Sequence, residues 1–179
     1  MVNSRWAILL DLDQTLVFTS ALLDLRRRRE WQQIYRLFHT TDLPPGTRQF
    51  IQDARKLGAL GIITTSPRLY AEKLVAHHQL NIPVVIAYHD VRNRKPHPES
   101  ILKAAGLLQV PSNRCFYIGD MGDDVMAAVN ARAIPVGLSW DGSLGQQREA
   151  KLAWALCKNW DEVLTFITHT ITQEQPDVL

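Results

Sequence analysis

Short apolar runs without helical periodicity, alternating with segments that have it, constrain this chain more than any other feature. The runs are Trp6 to Leu10, Leu60 to Thr64, Val84 to Tyr88, Cys115 to Ile118 and Ile134 to Leu138. Their length and unbroken apolarity suit strands buried on both faces. Between them, Phe50, Ile51, Ala54 and Leu57 form one helical face, ended by Gly58. Tyr70, Leu74 and Val75 form a second, and Ile101, Leu102, Ala105 and Leu108 a third. Val125, Met126, Ala128 and Val129 begin a fourth, and a last helix is expected from Asp161 to Ile167, with the tail after Thr170 fraying. Strands and helices in this order predict an α/β protein with a mainly parallel sheet covered on both faces.

With 179 residues and no internal repeat, a single domain spanning 1–179 is expected. A content of 46% apolar and 21% charged residues excludes a disordered tail and a membrane protein. The net charge of +2 demands neither a nucleic-acid nor a membrane partner. The early apolar run Ala7 to Leu10 stops at Asp11, too short for a signal peptide or a spanning helix. Cys115 and Cys157 are too few for a disulfide framework, which points to a reducing, cytoplasmic setting, and Cys115 reads as strand packing.

One segment breaks the alternation. Within Val17 to Pro45, the residues Trp31, Ile34, Tyr35 and Phe38 fall at i, i+3, i+4 and i+7, which predicts a helix with one apolar face. A small helical insert over residues 18–45, at the mouth of the sheet, follows. Two further helix starts are legible. In Thr65-Ser66-Pro67 the serine suits a cap and the proline the first turn; in Lys95-Pro96-His97-Pro98-Glu99, Pro98 suits the opening of the next helix.

In a parallel sheet, ligands bind beyond the carboxyl ends of the strands. Asp11 and Asp13 follow the first strand, and Asp120, Asp123 and Asp124 follow the Cys115 run. If those strands are neighbours, five carboxylates meet at one edge. A lone aspartate pair there is ordinarily a turn or capping device. Two acidic groups at equivalent strand ends repel unless a cation neutralises them, and Mg²⁺ prefers such oxygen ligands. A turn after Asp11 can splay Asp11 from Asp13, so that one attacks phosphorus while the other serves the leaving oxygen as acid and base. Thr64, with Thr65 beside it, offers a hydroxyl and a backbone N–H to phosphoryl oxygens, and Lys95 offers a point cation.

The series Asp11-Leu12-Asp13-Gln14-Thr15, then Thr64, then Lys95-Pro96, then Gly119-Asp120 with Asp124, resembles the haloacid dehalogenase-like superfamily over Trp6 to about Asp141. Arg94 to Glu99 and Tyr117 to Val125 are especially similar. The resemblance implies a Rossmann-like three-layer α/β/α fold and Mg²⁺-dependent phosphoryl transfer through an aspartyl-phosphate. It implies Asp11 as nucleophile and metal ligand, and Asp13 as general acid/base and as a metal ligand through its carbonyl. It further implies Asp120 as a metal ligand, Asp124 as support to the metal shell, and Thr64, Thr65 and Lys95 as holders of the phosphoryl group. Asp123 occupies a variable position, and Gln14 stands where many members have glycine. An acid at Asp13 separates phosphatases and phosphomutases from dehalogenases.

The expected function is a phosphomonoesterase; a phosphomutase or phosphotransferase is the alternative, followed by a non-catalytic phosphate-responsive module. The insert of 28 residues, Phe18 to Pro45, is short beside a full helical cap. The site is therefore expected to be more open, admitting a small phosphorylated molecule, a larger substrate, or a partner subunit that closes it. The run Arg26-Arg27-Arg28-Arg29 reads as a solvated helix face, with attraction of a polyanion or nucleic-acid end as the alternative. Trp31 and Tyr35 read as packing residues, His77 and His78 as exposed, His97 as a helix cap, and Trp140-Asp141-Gly142 as a turn.

Overall fold

The computed structural model describes residues 6–173. Six strands form one sheet: β1 (Ala7–Leu10), β2 (Ala59–Ile63), β3 (Val84–Ile86), β4 (Cys115–Gly119), β5 (Ile134–Leu138) and β6 (Ala155–Cys157). Every pairing is parallel and the order is β3-β2-β1-β4-β5-β6, so the direction of winding reverses at β1. The expected convergence of the two acidic loops follows from this order, since β1 pairs directly with β4, Leu10 opposite Ile118. Strand β6, which the sequence reading did not expect, closes one edge of the sheet and leaves Leu156 exposed beside exposed Trp154. The strand expected over Val84 to Tyr88 ends at Ile86, and Tyr88–Asp90 turns into a 3-10 helix.

Alternation along β1 supplies the two halves of the core. Ile8 and Leu10 join Phe50, Ile51 and Ala54 of α3 (Thr47–Leu57), Tyr70, Ala71 and Leu74 of α4 (Arg68–His77), and the apolar face of α7 (Trp160–Gln173). Ala7 and Leu9 face the other way, onto Ile101, Ala104 and Ala105 of α5 (Glu99–Leu108) and Ala127 and Ala128 of α6 (Gly122–Asn130). The result is a three-layer α/β/α protein. Leu102, expected on the buried face of α5, is instead 49% exposed, because Ala104 takes its place against the sheet. Helix α7 passes Thr170 as far as Gln173; the remainder of the tail expected to fray lies outside the described residues.

Between β1 and α3 the chain forms α1 (Leu23–Arg28) and α2 (Trp31–Arg36), then a 3-10 turn at Phe38–Thr40. The single helix expected through Phe38 therefore stops two residues early. Ile34 and Phe38 still enter the core, and Trp31 and Tyr35 pack against it from partly buried positions. His78 is buried rather than exposed, its ring bonded to the Thr41 hydroxyl at 2.8 Å. His97 accepts the Glu99 N–H at 3.2 Å and so caps α5, and Gly142 at φ +82° makes the turn after Trp140. Both thiols are buried, and desolvation pushes Cys115 up to about 12 and Cys157 to about 11. No described helix is long and apolar enough to cross a membrane.

Candidate active site

The end of β1 divides two carboxylates between two environments. Asp11 continues the ladder, its N–H donating to the Ile118 carbonyl at 2.9 Å, so its side chain is fixed where β1 and β4 stop together. One carboxylate oxygen each from Asp11, Asp120 and Asp124 lies within 4.8 Å of the others. Lys95 is no surface charge: its side chain is 9% exposed, and its ammonium donates to Asp11 Oδ1 at 2.6 Å and Asp124 Oδ1 at 2.5 Å. Asp124 also accepts the Tyr117 hydroxyl at 2.9 Å and the Met121 N–H at 3.1 Å, so all its bonds serve to hold its neighbours. Asp120 accepts the Thr15 hydroxyl at 2.8 Å. Asp123 is exposed.

Three carboxylates against one ammonium leave surplus negative charge in a buried place. Burial works against the Lys95 charge, but Asp11 and then Asp124 outweigh it and hold that ammonium well above its usual range. The Asp11 carboxyl is raised well above the ordinary range, by burial first and by Asp124 and Asp120 next, in spite of Lys95. Asp120 is pushed up to about 6, by burial and then by Asp124. A divalent cation with oxygen ligands would relieve this surplus, and the donor set fits one.

Gly119 makes the arrangement possible. A Cβ built on it would lie 2.3 Å from Asp124 Cγ, so the absent side chain is what lets this carboxylate fold back against the end of β4. Gln14 does the reverse. It sits at φ +66°, where glycine is ordinarily favoured, and its side-chain oxygen accepts the Thr19 N–H at 2.8 Å.

Asp13 points elsewhere and is not part of the three-acid cluster. Its Oδ1 accepts Thr19 Oγ1 at 2.8 Å, Arg26 Nη1 at 2.8 Å and the Tyr70 hydroxyl at 2.7 Å; its Oδ2 accepts Ser66 Oγ at 2.7 Å and Arg26 Nη2 at 3.1 Å. Three of these four partners come from positions with another sequence reading. Arg26 belongs to the run expected to be solvated, yet its side chain is 22% exposed, against 70% for Arg27 and 69% for Arg28. Ser66, expected to cap α4, gives its hydroxyl to Asp13 instead, and Pro67 occupies the capping position. Tyr70 sits on the apolar face of α4 and carries a buried hydroxyl that burial, then Asp13, keeps protonated far above its usual range. Thr19 carried no signal at all.

Thr64 is buried and shares a pocket of about 10 Å³ with Thr65, Lys95 and Ser100, room for about one water. Its backbone N–H is not free for a ligand, because it extends the sheet by donating to the Ile86 carbonyl at 2.9 Å. Its oxygen accepts the Ser66 N–H at 3.0 Å, which leaves the hydroxyl proton to donate. Thr65 is exposed and also lines a cavity of about 540 Å³ between the α1–α2 segment and the loops after β2 and β3.

The site thus sits beyond the carboxyl ends of a parallel sheet that reverses at β1, with acids at the ends of β1 and β4. Residues 6–132 match the model of the haloacid dehalogenase-like hydrolases, and the chain belongs to that family. It is similar to a phosphoglycolate phosphatase of Photorhabdus laumondii, 23% identical over 87% of this chain and 70% of that one. It is also similar to the phosphoglycolate phosphatase of Salmonella paratyphi A, 33% identical over 56% of this chain but only 44% of the relative. A haloacid dehalogenase family hydrolase from Deinococcus radiodurans, solved with phosphate and sodium, superimposes with a TM-score of 0.74 at 17% identity, covering 93% of this chain and 96% of that one.

Proposed function

We propose that this chain is a Mg²⁺-dependent phosphatase of phosphorylated small molecules, working through a phosphoryl group carried transiently on Asp11. The observation that carries the reading is the bridge of Lys95 between Asp11 and Asp124, with Asp120 alongside, at the shared end of β1 and β4. The similarity to phosphoglycolate phosphatases supports the reaction class.

Asp11 and Asp120 would hold the ion through their carboxylates and Asp13 through its backbone carbonyl. When bound, Mg²⁺ supplies positive charge that offsets the negative charge on the phosphoryl oxygens and the two acids. Asp11 attacks phosphorus and the bond to the leaving oxygen breaks, while the Asp13 carboxyl hands its proton to that oxygen. A water then loses a proton to Asp13 and attacks phosphorus, which releases inorganic phosphate and restores Asp11. Lys95 keeps the Asp11 carboxylate oriented and offsets charge on the transferring group. The Thr64 hydroxyl donates to a phosphoryl oxygen. Asp124 positions Lys95 through the short contact and, through Tyr117, the wall beside it.

A panel of phosphomonoesters assayed for free phosphate, with Mg²⁺ and then EDTA, tests this. Phosphate released without any acceptor, lost in EDTA and restored by Mg²⁺, is the expected result. Turnover only in the presence of a second sugar or alcohol acceptor would make the chain a phosphotransferase. No turnover, and no mass increment on Asp11 after acid trapping, would defeat the reading.

A further inference from the structure

Asp13 has no acceptor capacity to spare. A carboxylate offers about four lone-pair sites, and Asp13 already accepts five hydrogen bonds. In the reading above this same group must meet a leaving oxygen and then a water, so a donor has to withdraw. Thr19, Ser66 and Tyr70 are buried in the body of the protein. Arg26 is the partly exposed donor, on a six-residue helix that buries none of its residues.

The 540 Å³ cavity gives Arg26 somewhere to go. Arg26 and Ser66, both bonded to Asp13, form part of its wall, so these side chains stand between the cavity and the acid/base group. Its charged lining is otherwise Arg27 and Arg29, with Tyr88 and His89 as the remaining titratable side chains and no carboxylate. Arg29 makes no ion pair among the described residues. An anion entering here meets guanidinium groups and competes with Asp13 for one of them.

We infer that Arg26 is a latch on Asp13 that a second anionic group on the substrate releases, which makes the chain selective for phosphomonoesters whose leaving group carries a carboxylate or another phosphate. The inference rests on the phosphatase reading of the site. A charged leaving group exchanges one ion pair for another as the guanidinium turns to it, and Asp13 is freed to meet the leaving oxygen. A neutral leaving group must break the Arg26–Asp13 pair without replacement. Arg26 thus acts as a positioning residue through Asp13 and as the anion contact of the cavity.

Three substrates with one carbon skeleton separate the possibilities: propyl phosphate, the matching ω-carboxylate, and propane-1,3-diol bisphosphate. In Mg²⁺, the wild-type chain should prefer the charged pair by about 10²-fold in kcat/KM. Arg26→Gln should lower kcat/KM for both charged substrates by about 10²-fold while raising kcat for propyl phosphate a few-fold, so that the preference collapses. Arg26→Lys, which keeps the charge but cannot span both Asp13 oxygens, should restore most of the preference. The two charged substrates tell whether carboxylate or phosphate is the better trigger. Absence of a wild-type preference, or an equal loss on all three substrates in Arg26→Gln, would overturn the latch. Calorimetric affinities for the matching non-hydrolysable phosphonates provide an independent measure. If no monoester is turned over, the phosphatase reading falls, while loss of the carboxylate-bearing phosphonate's affinity advantage in Arg26→Gln still upholds anion capture, and an unchanged advantage refutes it.

Discussion

Asp11 and Asp13 stand two residues apart and live in opposite surroundings. Asp11 shares one buried ammonium with two further acids, so its neighbourhood is short of positive charge. Asp13 is wrapped by a guanidinium and three hydroxyls, so its neighbourhood is short of acceptors. The first environment invites a cation and the second repels one. Between them the chain leaves the extended line of β1 at Leu12, whose carbonyl accepts the Leu16 and Val17 N–H groups at 3.0 Å and no longer serves a neighbouring strand.

Asp11→Asn breaks the comparison most severely. It removes the proposed nucleophile, and turnover of any phosphomonoester should fall by on the order of 10⁴-fold or more, with no phosphoryl adduct found by mass spectrometry. Asp13→Asn leaves the cluster around Lys95 untouched. Here kcat should drop by about 10²–10⁴-fold while the adduct on Asp11 still forms with an aryl phosphate, whose leaving oxygen needs little protonation. Equal loss of adduct in both variants would show that the two environments do not divide the chemistry.

Gly119→Ala probes the charge-rich side through packing alone. The added methyl has no room beside Asp124, so that carboxylate must release Lys95. A fall in kcat of about 10²-fold is expected, without change in the circular dichroism of the fold.

The surplus charge should also be visible in stability. Because Asp120 is raised to about 6, the folded chain holds a proton that the unfolded chain loses near 4. Metal-free stability contributed by this group therefore declines as pH rises from about 4 to 6. In EDTA at pH 7, Asp120→Asn should raise Tm by roughly 3–6 °C, and the thermal shift that Mg²⁺ gives the parent chain should shrink in the variant. An unchanged Tm would mean that the cluster tolerates its charge unaided.

The smallest effect concerns the exposed arginines. Replacing Arg27 and Arg28 together by alanine should raise KM for an anionic substrate about 3-fold at low salt, with the difference gone near 1 M salt. Salt-independent kinetics in the parent chain would remove any steering role for the run.

The charge-rich environment was readable from residue order, because its acids follow strands and strand ends converge in a parallel sheet. Asp11, Asp120 and Asp124 needed only the adjacency of β1 and β4 to meet. The surroundings of Asp13 were not readable, since each donor satisfies a different local rule. Tyr70 completes an apolar stripe, Ser66 precedes a helix start, and Arg26 stands in a basic run; only three-dimensional packing turns all of them toward one carboxylate. The edge strand β6 escaped although it ends the apolar run Leu152 to Cys157, because only its last three residues join the sheet while Arg148–Leu152 coils as a 3-10 helix.

The reversal of winding at β1 also has a mechanical consequence. Asp11 and Asp120 are rooted at the ends of the two central strands of the sheet, and Arg26 rides on a short helix with no fully buried residue, anchored in the core only by partly buried Leu25. Slow amide exchange should accompany the chemistry and rapid exchange the choice of substrate. A lineage of such chains is thereby free to revise what it accepts by altering a few surface turns, while the reaction itself stays anchored in the last part of the molecule to come apart.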